Sequence, residues 1–280
     1  MPLHFQFDTT IEQFAVFGNP VKHSRSPDIH TLFASQFDIA LAYQAINIKE
    51  DEFDLAVREF AEAGGKGLNI TVPFKGAAFQ LCDELSERAR VCRSVNTIWF
   101  NETLIYGDTT DGEGLVRDLQ QNHQIELNDK RLLIMGAGGT VSPILSSLLD
   151  TSPESITIVN RTISKAENLA KQFGELGQLF TCAYDELNNT EFDLIINATS
   201  ASLKGTMPDL PTSIIHKDTC CYDLMYSSEP TTFLKWAKEQ GAKLCLDGLG
   251  MLVEQAASGF KIWHGKQPET TTVINALRNN

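Results

Sequence analysis

Positive charge is scarce in this chain: 23 Lys+Arg stand against 36 Asp+Glu, a formal net charge of -13 over 280 residues. That balance argues against nucleic acid or a membrane surface as the main partner. A phosphorylated small molecule remains open, because local cations matter more than the total. Cysteine is thin and scattered (Cys82, Cys92, Cys182, Cys220, Cys221, Cys245). No CxxC pair occurs, and no histidine joins a cysteine at metal-ligand spacing, so the expected metal set is none. No apolar run reaches transmembrane length. The opening MPLHFQFDTT has no basic n-region and no long apolar run, which with unpaired thiols predicts a reducing, cytoplasmic setting. Repeats and low-complexity segments are absent as well, and a length of 280 residues allows one large domain or two modest ones.

The strongest signal is at residues 132–162, LLIMGAGGTVSPILSSLLDTSPESITIVNRT. Leu132 to Met135 read as a buried parallel strand. Gly136, Gly138 and Gly139 follow at once, then Ile144, Leu145, Leu148 and Leu149 at helical spacing, then a second strand at Ile156 to Val159. Strand, glycine turn, helix and strand make one βαβ unit. The glycines serve a tight turn, close approach of backbone to a pyrophosphate, and close helix–sheet packing. Free N–H groups at the helix start face the phosphates. Without flanking strands such a loop is weak, and a turn without ligand is the competing reading. At the end of the second strand an NAD-selective site places Asp or Glu for the ribose 2′-OH. Here stand Asn160, Arg161 and Thr162, with Lys165 one turn on. No carboxylate repels a 2′-phosphate and two cations can hold one, so the reading is NADP. The alternative is a solvated Arg/Lys pair.

The residues before this unit carry a second pattern. Residues 14–17 are a short strand, and a helix is expected from Pro27, with Ser26 either its N-cap or, with Ser24, part of a polar ligand loop. A strand is expected at 42–48 and an amphipathic helix at 51–63. Next comes a strand at 67–72 with Asn69 and Thr71 on one side and Leu68, Ile70 and Val72 on the other, feeding a helix from Lys75. Helix is expected at 84–92 and strand at 94–100. A partner strand from Thr103 ends in Asp108-Thr109-Thr110-Asp111-Gly112, with Gly112 and Gly114 read as a bend before a helix at 115–121. Beyond the glycine unit, strands are expected at 179–184, 192–199, 220–224 and 243–248, and helices at 164–173, 231–240 and 250–263. Gln255 lies beside the apolar stripe of the last helix, either a ligand contact or surface.

Lys75 and Asp111 each fall where a strand gives way to a loop. As a pair they suit proton transfer to the oxygen of a carbonyl under reduction. The ammonium donates, and the carboxylate positions it and favours its charge. Each alone is equally well a surface charge. A bound cofactor supplies the hard chemistry of hydride transfer. Ser24, Ser26, Asn69, Thr71 and Asn96 suit a hydroxyl-rich substrate.

With GNPVKHSRSP at 18–27, GLNITVPFK at 67–75, SVNT at 94–97, GDTTDG at 107–112, GAGG at 136–139, NRT at 160–162, IINATS at 195–200, YDLMY at 222–226 and DGLGMLVEQAA at 247–257, the chain resembles the shikimate dehydrogenase family over about residues 14–270. The resemblance implies reversible, NADP(H)-dependent reduction of 3-dehydroshikimate to shikimate in the chorismate pathway. It implies an α/β protein of two domains whose cleft can close. The first is a mixed-sheet substrate domain, 1–112, completed by C-terminal helices at 248–280. The second is a Rossmann-like, doubly wound NADP domain at 113–247. It assigns Lys75 and Asp111 as catalytic, and Ser24, Ser26, Asn69, Thr71, Asn96, Tyr226 and Gln255 as substrate-binding. It assigns Gly136, Ala137, Gly138, Gly139, Thr140, Asn160, Arg161, Thr162, Lys165, Thr199, Leu224 and Gly248 to the cofactor. The partner it implies is a small molecule, with no nucleic acid and no membrane, on a monomer or weak homodimer. A relative that takes quinate or NAD, and a non-catalytic metabolite sensor, are the rival readings.

The chain departs from the family pattern at Thr109, where Asn is usual, at Thr140-Val141-Ser142, where an Arg is common, and at Ser202, where Gly is usual. Pro143 is expected to remove a helical bond or bend the first turn. Cofactor affinity and loop shape are where these departures predict a difference. The Lys75–Asp111 pair is untouched.

Overall fold

The glycine-rich stretch folds as strand, turn, helix and strand in a computed structural model that describes residues 5–8, 10–187, 190–199, 201 and 205–279. Ser200 and Ser202 of the IINATS region lie outside the described residues. The chain divides into two compact units, one of residues 1–114 with 253–280 and one of residues 115–252.

The second unit begins with the end of a helix, α5 (Asp111–Arg117), that carries on into a π-turn at Asp118–Asn122. Six strands follow: β7 (Arg131–Met135), β8 (Ser155–Val159), β9 (Leu179–Cys182), β10 (Leu194–Asn197), β11 (Cys220–Asp223) and β12 (Leu244–Asp247). They form one parallel sheet in the order β12-β11-β10-β7-β8-β9. That order reverses direction at β7, the topological switch point of a doubly wound sheet. Alternation along each strand explains the two-sided core. Leu132, Ile134, Ile156, Ile158, Leu194 and Ile196 pack on one face with α6 (Val141–Leu149) and α7 (Ile163–Phe173). Leu133, Met135, Ile195 and Cys221 pack on the other with α8 (Thr232–Glu239). With both faces covered, these strands read as continuous apolar runs.

The first unit contains β1 (Glu12–Gly18), α1 (Ser26–Ser35), β2 (Leu41–Asn47), α2 (Phe53–Glu62), β3 (Gly67–Ile70), α3 (Lys75–Leu81), β4 (Glu84–Leu85), α4 (Glu87–Cys92), β5 (Thr97–Asn101) and β6 (Leu104–Asp108). The later part of α9 (Leu249–His264) and all of α10 (Thr271–Arg278) complete it. Its sheet has the order β2-β1-β3-β5-β6-β4 and is mixed, with β5 antiparallel to both β3 and β6. Ala15, Phe17, Leu68, Ile70 and Ile98 meet α2, α3 and α4 on one face. On the other, Phe14 packs on Trp263 (centroids 4.7 Å apart) and Phe33 of α1 packs edge-on to Phe260 of α9 (5.8 Å).

Several local expectations give way to tertiary contacts. Residues 84–92 are not one helix: Glu84 and Leu85 pair with Tyr106 and Gly107, and α4 starts only after Ser86, whose hydroxyl accepts from the Ala89 N–H. Strand β3 stops at Ile70, so Val72 does not share the buried face and is 56% exposed. Strand β5 begins at Thr97 rather than 94. Gly112 and Gly114 are no bend, since α5 runs through both from Asp111. A Cβ on Gly114 would lie 2.7 Å from the backbone N of Gln255, so the glycine is there to let the helices touch. Ser26 is not the N-cap of α1; Arg25 occupies that position. Pro143 is the third residue of α6, where the backbone N–H has no intrahelical partner, so the proline removes no bond.

Candidate active site

Phe74 stacks on Phe53 with ring centroids 4.7 Å apart and both rings are buried, which fixes the start of α3. Lys75 is the first residue of that helix, and Asp111 the first of α5. Thirty-six positions apart in sequence, they meet: Lys75 Nζ donates to Asp111 Oδ2 at 2.7 Å, with side-chain exposures of 13% and 8%. A pair so withdrawn from water is less screened than a surface ion pair.

Asn96 holds the other oxygen. Its Nδ2 shares two protons among three acceptors, Asp111 Oδ1 at 3.0 Å, Thr110 Oγ1 at 3.0 Å and Gln255 Oε1 at 3.2 Å. Its Oδ1 accepts from the Thr110 N–H at 2.9 Å and the Thr97 hydroxyl at 3.0 Å. The crossing of α5 and α9 at Gly114 is what brings Gln255 within reach. Asn69 on β3 is tied to the same asparagine, its Nδ2 facing the Asn96 carbonyl at 3.3 Å, while its Oδ1 accepts from the Tyr43 hydroxyl at 2.7 Å. His30 is 1% exposed and stacks flat on Tyr43, centroids 4.4 Å apart. Burial pushes the His30 pKa down to about 3 and the Tyr43 pKa well above its ordinary value. Ser24 and Ser26 pair hydroxyl to hydroxyl at 3.2 Å at the start of α1. The methyl of Thr71 lies over Gly18, where a Cβ would sit 2.4 Å away. Eight of the expected residues thus belong to the first unit: Ser24, Ser26, Asn69, Thr71, Lys75, Asn96, Asp111 and Gln255. Tyr226 does not; it follows β11 in the second unit, half-buried.

In the second unit Gly136 ends β7 with φ +109° and donates its N–H to the Val159 carbonyl at 2.7 Å. A Cβ there would meet the Ala198 carbonyl at 3.2 Å and the Thr199 methyl at 3.3 Å, so glycine is required where β7 and β10 part. At Gly138 and Gly139 the opposite holds: space is open where a Cβ would go. Bare backbone beside open space at a helix start is the cradle a pyrophosphate needs. Ala137 and Thr140 complete the turn, and Thr199 is held by Asn197 Oδ1 through its hydroxyl (2.7 Å) and N–H (3.1 Å). After β8, Asn160 Nδ2 donates to the Thr162 carbonyl at 2.8 Å, which shapes the turn that presents Arg161. Arg161, Thr162 and Lys165 are exposed, and no ion pair holds either cation among the described residues. Leu224 and Gly248 are neighbours, since a Cβ on Gly248 would overlap the Leu224 carbonyl at 2.1 Å.

No group of three or more His, Cys, Asp or Glu able to hold a metal occurs among the described residues, and no helix among them is long and apolar enough to cross a membrane. All six cysteines are free, and burial raises the pKa of Cys82 and Cys220 to about 12, far from a reactive thiolate.

Family models cover both units. Residues 16–98 match the shikimate dehydrogenase substrate binding domain, residues 118–208 match shikimate/quinate 5-dehydrogenase, and residues 248–278 match the shikimate 5′-dehydrogenase C-terminal domain. The shikimate dehydrogenase (NADP+) of Hahella chejuensis (strain KCTC 2396) is 48% identical over 268 residues, 96% of this chain and 99% of that protein. The chain belongs to the shikimate dehydrogenase family. Among solved members, shikimate dehydrogenase from Aquifex aeolicus is 32% identical with a TM-score of 0.88, over 98% of this chain and 100% of that one. Shikimate 5-dehydrogenase from Thermus thermophilus, solved in complex with NADP(H) and shikimate, is 29% identical with a TM-score of 0.86, over 96% and 99%. The mixed-sheet unit and the Rossmann-like parallel unit are the family's two-domain α/β architecture.

Four residues of this polar cluster carried no signal as site residues. Thr110 and Thr97 close the ring around Asn96, and Tyr43 with His30 backs Asn69. Thr110 was legible only as the neighbour of Asp111. Tyr43 is 26 residues from Asn69 in sequence, and nothing local to β2 marks it.

Proposed function

We propose that this chain catalyses the reversible, NADP(H)-dependent interconversion of 3-dehydroshikimate and shikimate in the chorismate pathway, with Lys75 and Asp111 as its proton-handling pair. The observation that carries the site is the 2.7 Å contact of Lys75 Nζ with Asp111 Oδ2, withdrawn from water and ringed by amide and hydroxyl groups. In the reducing direction the Lys75 ammonium hands its proton to the C3 carbonyl oxygen as that oxygen becomes an alkoxide. Asp111, held by Asn96, keeps the ammonium aimed and compensates its charge. In the oxidising direction the same nitrogen takes the hydroxyl proton back. NADPH, when bound, supplies the hydride that the carbonyl carbon accepts.

The residues fit that cofactor. Gly136 to Thr140 and Thr199 would hold its pyrophosphate, as the open space at Gly138 and Gly139 supports. Arg161 and Lys165, with Asn160 and Thr162 forming the turn, would hold the 2′-phosphate. Leu224 and Gly248 would line the nicotinamide side. Ser24 and Ser26 suit a carboxylate, while Asn69, Thr71, Asn96, Gln255 and Tyr226 suit ring hydroxyls. Residues 1–112 with 248–280 form the substrate domain and 113–247 the NADP domain. The six free thiols agree with a cytoplasmic enzyme, acting as a monomer or weak homodimer on a small molecule.

Absorbance at 340 nm tests this reading. Shikimate with NADP+ should give turnover well above that with quinate or with NAD+. No turnover with any combination would refute it, and preference for quinate or NAD+ would move the chain to the broader reading.

A further inference from the structure

Outside the polar cluster, one arginine grips the β6–α5 junction that carries Asp111 from both sides, through the last residue of β6 and the third of α5. Arg88, in the first turn of α4, makes a two-pronged contact with Asp108: Nε donates to Oδ1 and Nη2 to Oδ2, both at 2.7 Å. The remaining nitrogen, Nη1, donates to Glu113 Oε2 at 2.7 Å. Asp108 lies three residues before Asp111 and Glu113 two residues after it. We propose that Arg88 is a positioning residue, a clamp that sets the placement of the Asp111 carboxylate against Lys75. The inference rests on the reading of Lys75 and Asp111 as the proton-handling pair.

The surrounding contacts make the clamp stiff. Asp108 is buried, and its Oδ1 accepts from the Ser86 hydroxyl and from the Thr109 N–H at 2.7 Å, so the carboxylate is fully engaged. Ser86 in turn caps α4, and its N–H donates to the Gly107 carbonyl at 3.0 Å, which stitches α4 to the end of β6. On the opposite side of the loop, Asn96 holds the Thr110 N–H and Asp111 Oδ1. The Asp111 backbone therefore spans two anchors, one from α4 and one from Asn96, the residue just before β5. A planar guanidinium is needed for the first: a lysine offers one point charge and cannot reach both oxygens of Asp108 and Glu113 in the same geometry. Burial works against the charge on Arg88, but Asp108 and Glu113 hold its pKa above the ordinary arginine value, so the fork stays complete. Because Arg88 touches neither Lys75 nor Asp111, its effect must pass through the loop.

Arg88→Lys keeps a charge opposite buried Asp108 while it removes the fork. Its kcat for shikimate oxidation should fall roughly ten- to hundred-fold, the scale of a small misplacement of a reacting group. KM for shikimate and for NADP+ should stay within about threefold, since the groups assigned to binding are untouched. The decisive comparison is made in an Asp111→Asn background, where the same Arg88→Lys change should cost less than about twofold, because the group it positions no longer carries charge. Circular dichroism and thermal melting of each variant establish that it is folded. Should Arg88→Lys unfold, Glu113→Gln, which releases only one prong, should give a several-fold smaller kcat with the same loss of effect in the Asp111→Asn background. Full kcat in a folded Arg88→Lys variant, or an equal fold-loss with and without Asp111→Asn, overturns the clamp. Full activity of Asp111→Asn and Lys75→Ala alone would instead overturn the underlying assignment of the pair.

Discussion

His30 makes unit 1 acid-sensitive by a calculable amount. The imidazole is 1% exposed, its Nε2 has no hydrogen-bond partner, and burial lowers its pKa from 6.5 to about 3. The folded state therefore keeps it neutral at pH values where the unfolded chain binds a proton. The stabilisation is complete above the unfolded pKa of 6.5 and is lost as pH falls from there towards 3. Each pH unit in that window costs about 1.4 kcal/mol. At pH 5 the loss is about 2 kcal/mol relative to pH 7. That figure is set almost wholly by the unfolded pKa, since folded His30 is nearly all neutral at pH 5. His264, whose pKa is also lowered by burial, and Glu12 beside it remain in both proteins compared below. His30→Phe keeps a flat ring against Tyr43 and removes the titration. Urea unfolding followed by tryptophan fluorescence, with Trp263 5.2 Å from His30, gives the free energy at pH 7 and at pH 5. The wild-type chain should lose about 2 kcal/mol more than His30→Phe across that interval. Equal losses would refute the assignment of a buried neutral imidazole. The consequence reaches the site, because the ring stacked on His30 is that of Tyr43, whose hydroxyl orients Asn69.

Three further outcomes are expected. Lys75→Ala should lower kcat by about 10²- to 10⁴-fold, the usual worth of a proton donor, and leave NADP+ affinity by fluorescence titration within about twofold; lost affinity with normal turnover contradicts its role. Arg161→Ala should weaken NADP+ binding by roughly ten- to hundred-fold, the scale of a charge-assisted contact to phosphate, while NAD+ binding is unchanged; equal weakening of both would remove Arg161 from the 2′-phosphate. Tyr43→Phe should raise KM for shikimate about fivefold at nearly constant kcat, the worth of one hydrogen bond of about 1 kcal/mol, and an unaltered KM would separate Tyr43 from substrate binding.

Much of this molecule is legible in the residues alone. The run from Leu132 to Arg161 determines its own strand, turn and helix, because alternation of apolar residues and the conformational freedom of glycine act over a few positions. The same local rules place Lys75 at the head of α3 and set Asn69 on a strand. They fail where a contact across the fold outweighs a local preference. Glu84 and Leu85 sit in a helix-like context and become strand because Tyr106 and Gly107 offer open hydrogen bonds. Gly114 looks like a break and lies inside a helix, since Gln255 needs the space a side chain would take. Pro143 looks disruptive and falls where no bond exists to be lost. The distance of 2.7 Å between Lys75 and Asp111 belongs to tertiary structure in the same way. Composition and spacing establish that a lysine, an aspartate and several amides are present. Only the mixed sheet, with β5 running against β3 and β6, brings Asn96, just before β5, to Asp111 Oδ1. Local sequence settles conformation because its energies act between neighbours, whereas charge placement depends on which distant strands pair.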